Sequence, residues 1–321
     1  MTSEEEDQIY EIVNGKTIYR TEHQVTVLQK KITPCPGAKV LDYGCAKSST
    51  MRVLQAQNMR LVPYLFDVSD RYIPFWKEFL PPENWATYLV PEEWTQQFDL
   101  VTSFFSLEHM GNPQAALQQI AAVLKPSGVF YGIVPHIFSN TADLIVIDHV
   151  NHFTQTSLRY LLASYGFEDI DIDESSHRGA LVFSAKKSTK QSVQVTSPLA
   201  NELSDIYATV VQIARFWKEA GDNIGQFEGA LPAQKQVAIY GAGFYGAFIA
   251  SHLKNLGRVE YIIDQNPFLH GRTVNDIPVI SPANLPSAID TILVGLNPLV
   301  AQKIVGDIEA FKCRSLNYFY F

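Results

Sequence analysis

Apolar and polar positions divide the chain into short apolar runs separated by stretches of helical spacing. Residues 9–32 mix apolar and polar side chains at roughly the helical repeat, and Thr33-Pro-Cys-Pro-Gly37 ends that segment. Residues 39–43 form a short apolar run that carries Asp42 and opens onto Gly44, the pattern of a buried parallel strand leading into a loop. A helix over 48–57 and a second apolar run over 60–67, ending on Asp67, repeat the unit. Further strands are predicted at 98–103 and 129–134, on either side of a helix over 113–124 that Lys125-Pro-Ser-Gly128 stops. A helix over 156–165 then precedes strands at 168–172 and 180–185. No helix separates those two, so the last strands should pair antiparallel at the end of an otherwise parallel sheet.

Residues 186–197 are polar and rich in Lys, Ser, Thr and Gln, which marks a boundary. Leu203, Ile206, Val210, Ile213 and Phe216 recur at helical spacing after it, so a long amphipathic helix over about 199–227 should connect two halves. The strand-then-glycine pattern restarts beyond it. Residues 236–240 read as a strand, Gly241-Ala-Gly-Phe-Tyr-Gly246 as a glycine loop, 247–256 as a helix and 259–264 as a strand ending on Asp264. The expected organisation is a first α/β domain over 1–190, a linker and long helix over 191–229, and a second, smaller Rossmann-like α/β domain over 230–321. Only one mononucleotide half is legible in the second domain.

Composition narrows the classes. With 321 residues, 46% hydrophobic and 18% charged, the chain is neither disordered nor fibrous. A net charge of -8 offers no basic field for a phosphate backbone, so nucleic acid is not an expected partner. Cys35, Cys45 and Cys313 form neither a disulfide framework nor a thiolate zinc site, and no metal site is expected. The acidic start lacks the positive, then apolar, pattern of a signal peptide, and no apolar stretch approaches transmembrane length. A cytoplasmic protein with no membrane partner is the expectation. Oligomeric state is not legible.

The constellation Val40-Leu-Asp-Tyr-Gly-Cys45, Phe66-Asp-Val-Ser69, 98–109 with its Ser-Leu-Glu-His109 end, and Val123-Leu-Lys-Pro-Ser-Gly128 resembles the class I S-adenosylmethionine-dependent methyltransferases over about residues 35–185. The resemblance implies a Rossmann-like sheet with an antiparallel last strand, and S-adenosylmethionine as cofactor. It places the cofactor against Asp42, Gly44, Cys45, Lys47, Ser48, Asp67, Val68 and Ser103. In physical terms, a glycine at a strand end lets the backbone approach a ligand, and free N–H groups at the next helix start favour its carboxylate. Asp42 would accept from the methionine ammonium or orient the loop, and Asp67 would take both ribose hydroxyls. Where the family repeats glycine, this loop reads Gly44-Cys-Ala-Lys-Ser-Ser49, so it must swing wider.

Candidate bases crowd one region, since five of the eight histidines lie between positions 109 and 177. Glu108-His109, His136 and Asp148-His-Val-Asn-His-Phe153 all follow strands whose carboxyl ends line the expected crevice. A histidine is suited to removing a proton at neutral pH, and Asp148 is the neighbour expected to raise its basicity. His149 is the first candidate and His109 the second.

The C-terminal half sharpens the resemblance. Gly241-x-Gly243-x-x-Gly246 after a strand, followed by Asp264, meets the context of a dinucleotide fingerprint. Together with 264–272 and 277–282, it also resembles the C-terminal domain of sugar C-methyltransferases, which methylate carbon 3 of nucleotide-linked 4-keto-deoxysugars held between their two domains. That resemblance implies His149 as the base beside the ketone, with Asp148, Glu108 and His109 around the reacting centre. It implies a nucleotide-sugar acceptor touching Tyr19, His136, His152, Gly241, Gly243, Tyr245 and Asp264. Such relatives begin with a cysteine-rich zinc domain that this sequence does not show, and Val146 stands where a tyrosine is common. The alternatives are O- or N-methylation of a sugar or small natural product, an NAD(P)-dependent oxidoreductase built on the second glycine loop, and a non-catalytic binding protein.

Overall fold

The computed structural model describes residues 7–13, 15–57, 60–190 and 195–321. The acidic start over 1–6 and part of the polar boundary, 191–194, lie outside the described residues. Among the described residues no helix is long and apolar enough to cross a membrane. The chain divides into two compact units, Ile9–Ala208 and Thr209–Phe321.

The first unit opens with β1 (Ile9–Val13) and β2 (Lys16–Tyr19), an antiparallel hairpin, followed by α1 (Arg20–Lys31). The helical spacing over 9–32 therefore becomes a helix only from Arg20. Gly15, at φ +77°, lies in the left-handed region and turns the chain back first. Next come β3 (Lys39–Tyr43), α2 (Ser49–Ala56), β4 (Val62–Asp67), α3 (Ile73–Trp76) and the edge strand β5 (Trp85–Thr87). β6 (Phe98–Phe104), α4 (Pro113–Val123), β7 (Leu124–Pro135), α5 (Gln155–Ser164), β8 (Phe167–Asp173) and β9 (Ala180–Lys187) complete it.

Seven strands form one sheet in the order β5-β4-β3-β6-β7-β9-β8, and β9 alone runs against its neighbours. Strand order reverses between β3 and β6. Both faces are covered, which is why the strands read as nearly unbroken apolar runs. Leu41, Val101, Phe130 and Phe183 point into one core with Leu117, Ile120 and Leu158. Their neighbours Val40, Leu100, Tyr131 and Val182 point into the other with Val25, Leu28, Met51 and Trp76. Lys125-Pro-Ser-Gly128 does not separate helix from strand, as the sequence suggested. Leu124 already pairs with Phe98 and Val129 with Leu100, so these residues bulge within β7, Ser127 adopting φ +61°.

An aromatic cluster docks the hairpin. Tyr10 stacks on His23 with ring centroids 3.6 Å apart, and both meet His177 from the β8–β9 loop at 5.0 and 5.3 Å. Phe105 covers another side of His177 at 5.2 Å, and the Arg178 guanidinium and N–H donate to Tyr10. Burial, with the positive charge of Arg20 nearby, pushes the His177 imidazolium down to about 4.

A long helix, α6 (Ala200–Ala230), leads into the second unit and buries Ile213, Trp217, Ala220 and Ile224 along one face. β10 (Val237–Tyr240), α7 (Phe244–His252), β11 (Val259–Ile263), β12 (Thr273–Val274), β13 (Ile277–Ile280), β14 (Thr291–Val294), α8 (Ala301–Gly306), α9 (Glu309–Lys312) and β15 (Asn317–Phe319) follow. The sheet order is β12-β13-β11-β10-β14-β15, parallel except at β12. On the far side of β10 the sheet continues in β14 and β15, strands the sequence did not reveal. Four- and three-residue strands joined by short helices give too little periodicity to read.

Two outcomes follow. His177 stays neutral in the folded protein down to about pH 4, while the unfolded chain binds its proton below about 6.5, so it erodes stability as pH falls across that window. Urea midpoints of wild type and His177→Gln should converge as pH falls from about 6.5 to about 4; parallel pH profiles would contradict this account. A Cβ on Gly246 would lie 1.9 Å from the Gly241 carbonyl oxygen, a backbone atom that cannot swing aside. Gly246→Ala should lower stability by about 1–3 kcal/mol by denaturation, with proteolysis directed to the second unit.

Candidate active site

In an open α/β sheet the ligand crevice lies at the carboxyl ends of the strands where their order reverses. In the first unit that point is occupied by the loops after β3 and β6. Gly44 is required there twice over: its φ is +74°, and a Cβ would sit 1.9 Å from Ser106 Oγ of the facing loop. Its lack of a side chain thus admits the neighbouring loop. Ala46 and Ser48 also adopt positive φ, 45° and 55°, left-handed positions that glycine would fill more easily.

The loop is held by two carboxylates. Asp42, 3% exposed, accepts from Ser48 Oγ at 2.9 Å and Thr102 Oγ1 at 3.1 Å. Burial pushes its carboxyl up to about 6 against the pull of those hydroxyls. Of the two roles read from sequence, the observed bonds are those of loop orientation. Asp67 accepts the Ala46 N–H at 2.9 Å and the Ser69 N–H at 3.0 Å, while Trp76 Nε1 donates to the Ala46 carbonyl at 2.7 Å. The N–H groups of Gly44 and Cys45 donate to the Phe66 carbonyl and that of Ser48 to the Cys45 carbonyl, so these donors are spent inside the fold. Cys45 is a buried thiol, and Lys47 lies over the Phe75 ring at 5.2 Å.

Around this loop lie groups still able to meet a ligand. The Asp67 carboxylate, which also faces the Val68 N–H, retains acceptor capacity for a ligand. Val68, Tyr88 and Leu89, at the tips of β4 and β5, are 69%, 59% and 76% exposed. Ser103 Oγ, at the end of β6, is buried with no hydrogen-bond partner.

The second unit repeats the construction. Gly241 N donates to the Ile263 carbonyl, Ala242 N to Asp264 Oδ2 and Asn266 N to Asp264 Oδ1, each at 2.7–2.8 Å. A Cβ on Gly241, at φ +104°, would lie 2.3 Å from the Gly295 carbonyl oxygen across the switch point. Gly243 faces open space, and Tyr245 rests beside Trp217.

The histidine cluster joins two segments beyond the sheet. The Glu108 carbonyl accepts from Val150 N and Asn151 N, and Asn151 Nδ2 donates to the carbonyls of Leu107 and Met110. At the centre lies Asp143, fully buried, which the sequence reading missed. His149 Nδ1 donates to Asp143 Oδ1 at 2.6 Å, and His152 Nδ1 donates to Oδ2 at 2.8 Å. An ionised carboxylate only accepts, so both imidazoles carry their proton on Nδ1 and turn Nε2 outward. Asp148, expected to partner His149, instead lies beside His109: its carbonyl accepts from His109 Nδ1 at 2.9 Å and its carboxylate stands 3.5 Å away. Six positions separate Asp143 from His149, and a short helical turn, not sequence adjacency, brings them together.

Burial alone would depress the His149 imidazolium, but the Asp143 carboxylate, aided by Glu108 and Asp148, holds it above its ordinary value. Glu108 is 1% exposed, burial pushes its carboxyl up to about 7, and its Oε2 has no partner. His136 is buried against Ser139 Oγ and is pushed downward by burial. Tyr19 caps the start of α1.

Residues 20–172 match the family model described as "Methyltransferase domain". No curated protein matches the chain. Among solved structures, the chain is similar to the putative methyltransferase in the complex with the Haloferax volcanii Trm112 activator, at 16% identity, TM-score 0.44, 53% of this chain and 91% of that one. It is also similar to a SAM-dependent methyltransferase from Archaeoglobus fulgidus (16%, 0.43, 53% and 95%) and a putative S-adenosylmethionine-dependent methyltransferase from Listeria monocytogenes (18%, 0.41, 53% and 98%). The matched residues 20–172 run from α1 into β8 and carry the loops of Gly44, Asp67 and Asp143 on a sheet with one antiparallel strand, so this part of the chain is similar to a methyltransferase domain.

Proposed function

We propose that this domain C-methylates a nucleotide-linked keto-sugar, with His149 removing the proton from the carbon beside the ketone. The observation that carries the reading is the 2.6 Å hydrogen bond from His149 Nδ1 to the buried Asp143. It fixes one tautomer and leaves Nε2 with its lone pair, the arrangement a general base requires. The sugar itself is taken from the sequence resemblance. Asp148, from the same segment, supports His109.

The strand tips fit the cofactor. Asp67 would take the ribose hydroxyls with its remaining lone pairs, Val68, Tyr88 and Leu89 offer apolar surface to the adenine, and Ser103 Oγ is a buried donor in need of a partner. When bound, S-adenosylmethionine supplies an electrophilic methyl group on a sulfonium. The chain's own work is to hold the acceptor carbon in line and to manage one proton. His149 Nε2 takes that proton, and the C–H electron pair moves onto the carbonyl as an enolate. The Asp143 carboxylate, 2.6 Å from His149 Nδ1, steadies the imidazolium. The enolate oxygen needs a donor opposite the base, for which Glu108 and His109 are the neighbouring candidates.

His149→Gln should lower kcat by at least about 10²-fold while S-adenosylmethionine affinity, by calorimetry, stays within about threefold. Wild type should exchange the α-proton of a nucleotide-linked 4-keto-sugar in heavy water without methyl donor. Methyl transfer without exchange would assign the chemistry to an oxygen or nitrogen acceptor. Asp67→Ala should instead weaken S-adenosylmethionine at least about tenfold and lower Tm, because it strips partners from Ala46 N and Ser69 N as well as from the ribose. Unchanged affinity there would refute its place in the cofactor site.

A further inference from the structure

We propose that Glu108, His109 and His149 form a divalent transition-metal site, and that a metal held there competes with proton removal by His149. One ligand atom from each residue lies within 4.8 Å of the other two. A metal with bonds near 2.1 Å sets its ligands about 3–4 Å apart, so small side-chain rotations close the set.

Three independent features point to a cation. Glu108 Oε2 is buried without any hydrogen-bond partner, an acceptor left open in the interior. His149 spends Nδ1 on the Asp143 carboxylate, and His109 spends Nδ1 on the Asp148 carbonyl. A carboxylate or carbonyl on one ring nitrogen is the support that metal-binding histidines use to present the other. The two rings stand edge to face with centroids 4.7 Å apart, so both imidazoles lie within reach of the Glu108 carboxylate. Two imidazoles and one carboxylate suit a late first-row divalent ion such as zinc or cobalt, leaving one coordination position open. Magnesium and calcium prefer oxygen donors and are not expected to bind.

The competition rests on the proposed base, because the lone pair of His149 Nε2 cannot hold both a metal and a proton. The binding claim does not. Equilibrium dialysis of the full chain with Co²⁺, read by metal analysis and by visible absorption, should give one equivalent bound with tetrahedral-type bands. Glu108→Gln and His109→Gln should each weaken binding at least about tenfold, and Asp143→Asn by about 10–100-fold. His109, whose side chain is 40% exposed, supplies the variant least able to disturb the fold. Zn²⁺ should suppress turnover in proportion to occupancy, and a chelator should restore it. Absence of stoichiometric Co²⁺, or binding that survives both Glu108→Gln and His109→Gln, overturns the site and leaves the base reading intact. Full occupancy with undiminished turnover keeps the site and overturns the competition, and with it His149 as base.

Discussion

A single buried carboxylate organises the reactive half of the molecule. Asp143 has no exposed surface, and both of its oxygens are taken by imidazole N–H groups. A buried anion without partners would be costly, and charge-assisted hydrogen bonds offset that cost. The same bonds decide the tautomer of two histidines at once. Asp143 is therefore both a stability constraint and a chemical one. Removing it would leave His149 and His152 free to rotate and to place their protons on either nitrogen, which is the freedom a positioned base cannot have.

The two units solve a common problem in the same way. In each, the loop after the sheet's first strand in chain order must pass close to the loop after its neighbour across the switch point, β6 or β14, and a glycine supplies the clearance, at Gly44 against Ser106 and at Gly241 against Gly295. In each, an acid at the tip of the second strand then ties that loop down through one N–H of the loop and one N–H two residues beyond itself. The acids at 67 and 264 serve architecture first. Ligand recognition, where it occurs, uses what remains of their hydrogen-bonding capacity.

This shared design explains what was legible from sequence. Apolar runs ending on an acid and a glycine mark buried parallel strands, so the first sheet and its antiparallel end could be read from residues 39–67 and 168–185. The hairpin at 9–19 was hidden because short strands with mixed side chains imitate a helical repeat, although Asn14-Gly15 is a turn signal in the sequence. The bulge at 125–128 was hidden because Pro and Gly look like a stop. Asp143 was missed for another reason: Asp148 is adjacent to His149 in sequence, but adjacent residues point apart, whereas a short turn six residues upstream can aim a carboxylate at the ring. Contacts of this kind belong to tertiary structure and leave no periodic trace.

The loop from Gly44 to Ser48 shows how a departure from the glycine-rich pattern is accommodated. Ala46 and Ser48 hold positive φ values that cost non-glycine residues on the order of 1 kcal/mol or more each. Such strain persists only where surrounding bonds over-determine the backbone. Ala46 is fixed at its N–H by Asp67 and at its carbonyl by Trp76, and Ser48 is fixed through its hydroxyl to Asp42, itself braced by Thr102. The acids at 42 and 67, and the indole of a tryptophan that looks like plain core, thus take over the task that additional glycines perform elsewhere. A loop held in this way is rigid before any ligand arrives, and the preorganisation comes from side chains on β3, β4 and α3 rather than from backbone freedom.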